Sequence, residues 1–467
     1  MRARPALLVA LMLLVAGCAG PVAAPTNTTD NGVSPGVSTS DAPSTPNASS
    51  TTNATTNAST ASSGSGAEAN GTSASPASLA DTYDIKVDQA DRFAESPAIV
   101  FARMAVLTNE TAAHPPERIQ VFPDGRMQLG SGTVPRFQRL LGITYPNREG
   151  LAAAGYVDGP DRIVLNRRIL DNATTTEAVL AHESVHIIQF EQQAFSLTSD
   201  RVGGGDLRGT TDSQLAYRAT IEGSAVYAAD AYHEAYMRNG TPPRASMARR
   251  YENASGATKL ALGPYHYGAE HIAARIDDAS DLRTIYKQPP RTTSEVIHGV
   301  NTDRSPVASL PLDVHEGETW TERSDRRDRL GELYFRVALA TELDDETAAT
   351  AGTGWRADKR LTFTDGENRS YVWILRFSDE QNATQAERAM TDYLDSRADP
   401  KRVDTPNGSV QVWTTPDTNA TFRTVRVDAE TVAFVIGDST FAAETTLEPV
   451  TEGEGSSRDD GVVVRTP

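Results

Sequence analysis

The stretch His182-Glu183-Ser184-Val185-His186 reads H-E-x-x-H. On a helix the two histidines lie four positions apart on one face, so both imidazoles reach one ion. Glu183 stands beside the first histidine, where a carboxylate can take the proton of a metal-activated water. A tetrahedral catalytic zinc takes three protein ligands and keeps a fourth position open for water. Two histidines therefore leave one ligand to be found. A long helix expected over about Ser213 to Met237 carries Glu222 on an otherwise apolar stretch, beside the small Gly223-Ser224-Ala225 patch. Glu222 lies 36 residues past His186, enough for a loop and an antiparallel return. It is the expected third ligand, with Glu234, Glu270 and His233 as alternatives. Tyrosine and histidine near such a water can stabilise a developing oxyanion. Tyr265 and His298 are the leading candidates for that task, with His266 and Tyr267 beside them.

The elements that must hold these residues can be read around the motif. Thr174 to Glu177 has the form of a capping box, with Thr174 as N-cap. Val179, Leu180, Val185, Ile188 and Phe190 supply the apolar positions of a buried helix. Upstream, a helix is expected over about Asp88 to Leu107 and a strand over Arg118 to Phe122. A turn at Pro123-Asp124-Gly125 and a helix near Val134 to Leu141 follow. Two short strands, Ala154 to Gly159 and Arg162 to Leu165, precede the motif. The second would wall the cleft, and its free edge would hold an extended peptide. Downstream, a helix opens at Gly263, and the Pro289-Pro290 pair stops whatever helix reaches it.

From about Ala348 the texture changes. Leu361–Phe363, Tyr371–Phe377, Val410–Trp413, Thr424–Val427 and Thr431–Ile436 read as strands, with a helix near Gln385 to Ser396. The fold class is therefore α+β: a mainly helical core with a short edge sheet, then a small antiparallel α+β lobe. The expected organisation is a signal segment over 1–17, a stalk over 18–80, the core over 81–345, the lobe over 346–447 and a disordered acidic tail over 448–467.

The chain has 467 residues and a formal net charge of −18. Acidic residues are spread along it, which argues against a nucleic-acid partner, because phosphates would be repelled. Spread acidity also suits solubility at high salt. Arg2 and Arg4, the apolar Ala6 to Val15 and then Leu14-Val15-Ala16-Gly17-Cys18 have the form of a lipoprotein signal. Cleavage before Cys18 would leave that thiol as the lipid attachment point. It is the only cysteine, so no intramolecular disulfide is possible. From Ala19 to about Ser78 the Ser, Thr, Asn, Ala, Gly and Pro composition cannot bury enough apolar surface to order itself. Asn27, Asn47, Asn53, Asn57 and Asn70 head N-x-[ST] sequons there, and more recur between Asn109 and Asn419. No other apolar run approaches membrane-spanning length.

The arrangement resembles the gluzincin class of zinc metallopeptidases, in which H-E-x-x-H on one helix is joined by a glutamate from a later one. More narrowly it resembles haloarchaeal surface lipoproteins of metallopeptidase type. The matching pieces are the Leu-Ala-His-Glu helix continued by Gln189, Glu222-Gly223-Ser224-Ala225, Tyr265 to Gly268, Pro289 to His298, and Gly354-Trp355-Arg356-Ala357-Asp358. The resemblance covers about Tyr83 to Gly437. It implies a zincin-like core, one zinc held by His182, His186 and Glu222, Glu183 as general base and a peptide or protein substrate. It also implies a lipid-anchored place on the outer face of the membrane. The rival expectation is a non-catalytic envelope protein that keeps the fold for binding or display.

Overall fold

The computed structural model describes residues 75–123, 126–129, 134–145, 151–202, 209–300, 307–406, 408–450 and 461–467. The signal segment, Cys18 and the stalk as far as residue 74 lie outside these residues, as do Asp124 and Gly125 of the expected turn. The fold is α+β, and residues 75–467 make one compact unit.

The first layer is a four-stranded sheet in the order Lys86–Val87, Arg118–Phe122, Arg162–Asn166, Gly155–Val157. The first three strands are parallel and the last is antiparallel to its neighbour. The strand just before the motif, Arg162–Asn166, is therefore paired on both sides. Among the described residues the edge on the motif strand's side belongs to Gly155–Val157, contrary to the expectation above. The reason is connectivity: the Gly159-Pro160 turn folds the earlier strand outward, while the later one inherits the interior position beside Arg118–Phe122.

Helices cover this sheet. Pro97–Leu107, the motif helix Ala173–Glu191 and the long helix Thr211–Tyr236 share a core that includes Phe101, Met104, Ile163, Leu165, Leu180, Val185, Ile221 and Tyr232. Three local expectations need correction. The helix expected from Asp88 starts at Pro97, because Gln89 takes a left-handed φ of 55° and Pro97 supplies the preset first helical residue. The helix expected over Val134 to Leu141 spans Arg136–Leu140. The motif helix is capped by Asn172, whose side chain accepts from Thr175 N at 2.9 Å, so Thr174 is already inside it. Glu177, freed from a capping role, accepts from the Tyr232 hydroxyl and pairs with Arg103.

The long helix crosses a further one, Gly256–Ala273, which begins seven residues before Gly263 and holds Pro264 in its interior. Their axes meet at glycines. A Cβ on Gly223 would stand 2.3 Å from the Gly268 carbonyl carbon, and one on Gly268 would stand 2.1 Å from Ala219 O. The small patch around Gly223 therefore serves as a backbone-to-backbone contact, with no room for a methyl group.

The remaining chain builds a seven-stranded antiparallel sheet in the order Pro400–Thr405, Gly408–Thr414, Thr421–Arg426, Thr431–Gly437, Arg369–Phe377, Trp355–Thr364, Thr321–Glu322. Alternate residues of Arg369–Phe377 face opposite ways. Tyr371, Trp373, Leu375 and Phe377 join a core with the helices Glu332–Leu339 and Glu380–Asp395, while Val372 and Ile374 join another with Trp320 and Phe441. The first of these cores also takes in Phe137, Leu141, Leu215 and Leu260, so no break falls at the expected 345/346 boundary. Of the tail expected to be disordered over 448–467, residues 451–460 lie outside the described residues, and the end of it is ordered. Val462–Arg465 is the middle strand of a three-stranded sheet, between Thr446–Pro449 and Leu312–His315, because Val462 and Val464 are apolar at alternate positions and fully buried.

Buried carboxylates join the long helix to this sheet. Asp358 accepts from Leu330 N, Gly331 N and the indole nitrogens of Trp355 and Trp373. Asp212, at the start of the long helix, accepts from Thr293 N at 2.8 Å and Thr293 Oγ1 at 2.7 Å. Burial pushes the Asp212 carboxyl up to about 7, against the pull of the Thr293 donors. Its other oxygen, Oδ2, is buried and accepts no hydrogen bond, which leaves room for a proton. A carboxyl raised in this way stabilises the fold fully below about pH 4, and that contribution is lost as pH rises through about 7. Asp212→Asn keeps the acceptor and removes the charge. It is expected to flatten the decline in stability between pH 5 and pH 8, followed by chemical denaturation at fixed ionic strength. An unchanged slope would exclude Asp212 as its source.

Candidate metal centre

The motif helix and the long helix pack side by side and present His182, His186 and Glu222 to one point. His182 Nε2 and His186 Nε2 are 3.2 Å apart. Glu222 Oε2 lies 3.5 Å from the first and 3.4 Å from the second. A tetrahedron with metal–donor bonds of about 2.0–2.2 Å has edges of roughly 3.3–3.6 Å. The three donor atoms thus form one face of such a tetrahedron. Glu222 Oε2 is buried and accepts no hydrogen bond of normal geometry, as expected of an oxygen shaped to meet a cation. These three side chains can hold a metal ion. Glu270, an alternative, pairs with Arg244 at the surface. Glu234, another, is exposed.

The electrostatics agree with the geometry. Glu222 is fully buried, which raises a carboxyl, but the two imidazoles outweigh burial and hold it below the usual carboxylate range. Burial pulls His182 down, with Glu222 opposing. Burial also pulls on His186, yet the Glu222 and Glu183 carboxylates raise it to about 9. The pocket therefore requires one positive charge beside Glu222. A divalent ion on the same three atoms would supply that charge, with release of any proton they hold.

Outer contacts fix the ligands. His186 Nδ1 lies 2.8 Å from Gln189 Oε1, so this nitrogen donates and Nε2 turns its lone pair inward. Gln189 Nε2 in turn donates to Ile221 O at 3.0 Å and contacts the Tyr286 hydroxyl at 3.1 Å. One side chain thereby ties the second histidine to the backbone beside Glu222. The resemblance marked Gln189 as part of the motif. Tyr286, ahead of the proline pair that ends its helix Leu282–Lys287, carried no signal of its own.

Glu183, next to His182 in the middle of the motif helix, is fully buried. It lies against the edge strand: a Cβ on Gly155 would be 2.9 Å from Glu183 Oε1. The glycine is thus what allows the carboxylate to stand against that strand. The strand pattern places Gly155 in this element but carries nothing that connects it to Glu183. Tyr265 is brought to the centre as well, its ring 6.3 Å from that of His182 and inclined by 20°. His266 stacks instead on Tyr251, and Tyr267 meets the same ring edge-on. His298 pairs with the fully buried Glu332 at 2.8 Å, a carboxylate that Arg336 also meets. The structure engages His298 there, in a charge-compensating trio outside the donor triangle.

Gln189→Ala is expected to weaken metal binding roughly 10- to 100-fold with the helices intact, measured by competition against a chromophoric chelator. An unchanged affinity would show that the Gln189 contact does not orient His186.

Among the described residues no helix is long and apolar enough to cross a membrane. Residues 319–447 match the model of a domain family of unknown function, DUF8575. That stretch covers the seven-stranded sheet and its helices and lies outside the metal-binding triangle. No curated protein and no solved structure matches the chain.

Proposed function

We propose that the protein is a zinc-dependent peptidase with a zincin-like core, held on the outer face of the membrane through a lipid on Cys18. The observation that carries the reading is the buried triangle of His182, His186 and Glu222, with Glu183 beside it and against the edge strand. The donor set, two imidazoles and one carboxylate, is the set that suits catalytic zinc. Zinc bound there would polarise a carbonyl and lower the pKa of a coordinated water toward about 7.

The chain's own groups supply the rest. Glu183 accepts the proton of the attacking water and passes it to the leaving amine. Gly155–Val157 offers the main-chain groups of its free edge to an extended peptide, in antiparallel or parallel register. Tyr265, whose ring lies beside that of His182, is the group that would donate to a developing oxyanion. Burial of the centre, where His182 is the most exposed of the four residues at 4%, strengthens each of these interactions by excluding water.

The purified full chain is expected to contain about one zinc and to cleave peptides in a broad library. Glu222→Ala should lose most of the metal. Glu183→Gln should keep it and cleave roughly 10²- to 10⁴-fold more slowly. Cleavage at the wild-type rate by Glu183→Gln would overturn the mechanism. Bound zinc with no cleavage of any peptide would favour the display reading.

Cys18→Ala is expected to move the protein from the membrane fraction to the supernatant. Retention of the variant in the membrane fraction would exclude a lipid on Cys18.

A further inference from the structure

Away from the metal centre, five arginines converge on one cleft of about 150 Å³. Arg136 comes from the start of the helix Arg136–Leu140, and Arg323 and Arg326 from the turn around residues 323–326. Arg360 and Arg369 come from the neighbouring strands Trp355–Thr364 and Arg369–Phe377. Among the described residues no acidic side chain lines the cleft. Its floor is apolar, built on Phe137 and Tyr371, which are 2% and 4% exposed.

The charge there is unbalanced. Arg323 and Arg326 share Asp325, and Arg360 faces Asp328 at 3.7 Å. Among the described residues neither Arg136 nor Arg369 enters a salt bridge. Five arginines against two carboxylates leave three positive charges on a chain whose net charge is −18. Clustered like charges repel one another, so such a patch is unfavourable unless an anion completes it.

Part of the cluster is already held in place. The Arg360 guanidinium lies 5.3 Å from the centre of the Phe137 ring and donates to Arg326 O at 3.2 Å. Its side chain is only 19% exposed. Burial raises the Tyr371 phenol, while Arg136, Arg360, Arg369 and Arg139 all pull it down, so their fields meet at the cleft floor. Guanidinium forks fit the oxygens of a tetrahedral oxyanion in pairs, and a partly apolar floor weakens competition from water.

We propose that this cleft binds a multiply charged oxyanion group, a phosphate monoester or a pyrophosphate. A single carboxylate would neutralise only one of the three surplus charges, whereas a phosphate or a pyrophosphate meets two or three. The cleft draws Arg136 from the first half of the chain and the other four arginines from the stretch that matches DUF8575. It therefore exists only where those two parts of the one compact unit meet.

The test is titration calorimetry of the full chain with sodium pyrophosphate at about 0.15 M salt, where exposed charges more than about 8 Å apart are screened. One-to-one binding is expected. Arg136→Gln/Arg369→Gln, both at exposed positions, should weaken it roughly 100-fold, about tenfold for each guanidinium removed from the anion. Arg388→Gln/Arg402→Gln removes the same charge elsewhere and should leave binding unchanged. Absence of binding, wild-type affinity in the first variant, or equal weakening in both variants would overturn the proposal. Phosphatidic acid vesicles separate the sources. Displacement of pyrophosphate by them, and not by phosphatidylcholine vesicles, assigns the group to a membrane headgroup. Persistence of binding assigns it to a soluble or glycan-borne ester.

Discussion

The buried carboxylate of Glu222 is the charge on which the centre of this molecule depends. A lone carboxylate withdrawn from water is heavily penalised, and it persists only with a cationic partner held at contact distance. The partners are two imidazoles on another helix, so the two helices must pack in one register. That register is fixed from both sides. Gln189 links His186 to the backbone at Ile221, and the Gly223–Gly268 contact presses the long helix against the next one. The three helices are locked together by one electrostatic requirement and one steric one. The cation that satisfies the first is also the group that gives the centre its proposed chemistry.

Much of this was legible in the sequence, for identifiable reasons. H-E-x-x-H brings two candidate donors together through helix periodicity alone, and an acid in an apolar stretch beside small residues singled out Glu222. The strands of the large sheet were legible because a strand covered on both faces reads as an apolar run, as Tyr371–Phe377 does. The cap at Asn172 was missed because Thr174 to Glu177 satisfies the local pattern equally well, and Glu177 is taken by Tyr232 and Arg103, far away in sequence. The start of the Gly256–Ala273 helix was missed because Pro264 looks like a first-turn residue. In the fold it sits mid-helix, where the surrounding packing sustains it.

The boundary between core and lobe illustrates a different failure. Composition does change near residue 348, but composition reports solvent exposure and strand propensity and carries no information about contacts across the change. Asp212, Asp328 and Asp358 each reach over it or tie down the segment beside it. Asp328 accepts from both the backbone and the hydroxyl of Thr211, and Asp358 collects the turn at Leu330 and Gly331 together with two indoles. Gly331, at φ 86°, leaves space that Asp212 fills. These are long-range polar contacts with no periodic signature, and they convert two texturally distinct regions into one unit.

The three-stranded sheet at the far face carries a consequence for how the chain is made. Its central strand, Val462–Arg465, pairs with Thr446–Pro449 on one side and lies parallel to Leu312–His315 on the other. During synthesis Leu312–His315 emerges well before its partner, and the face of the large sheet around Val372 and Ile374 stays uncovered in the interval. This layer closes only when residues 462–465 arrive. Late closure leaves the chain incomplete, and hence pliable, until its distal segment has been made.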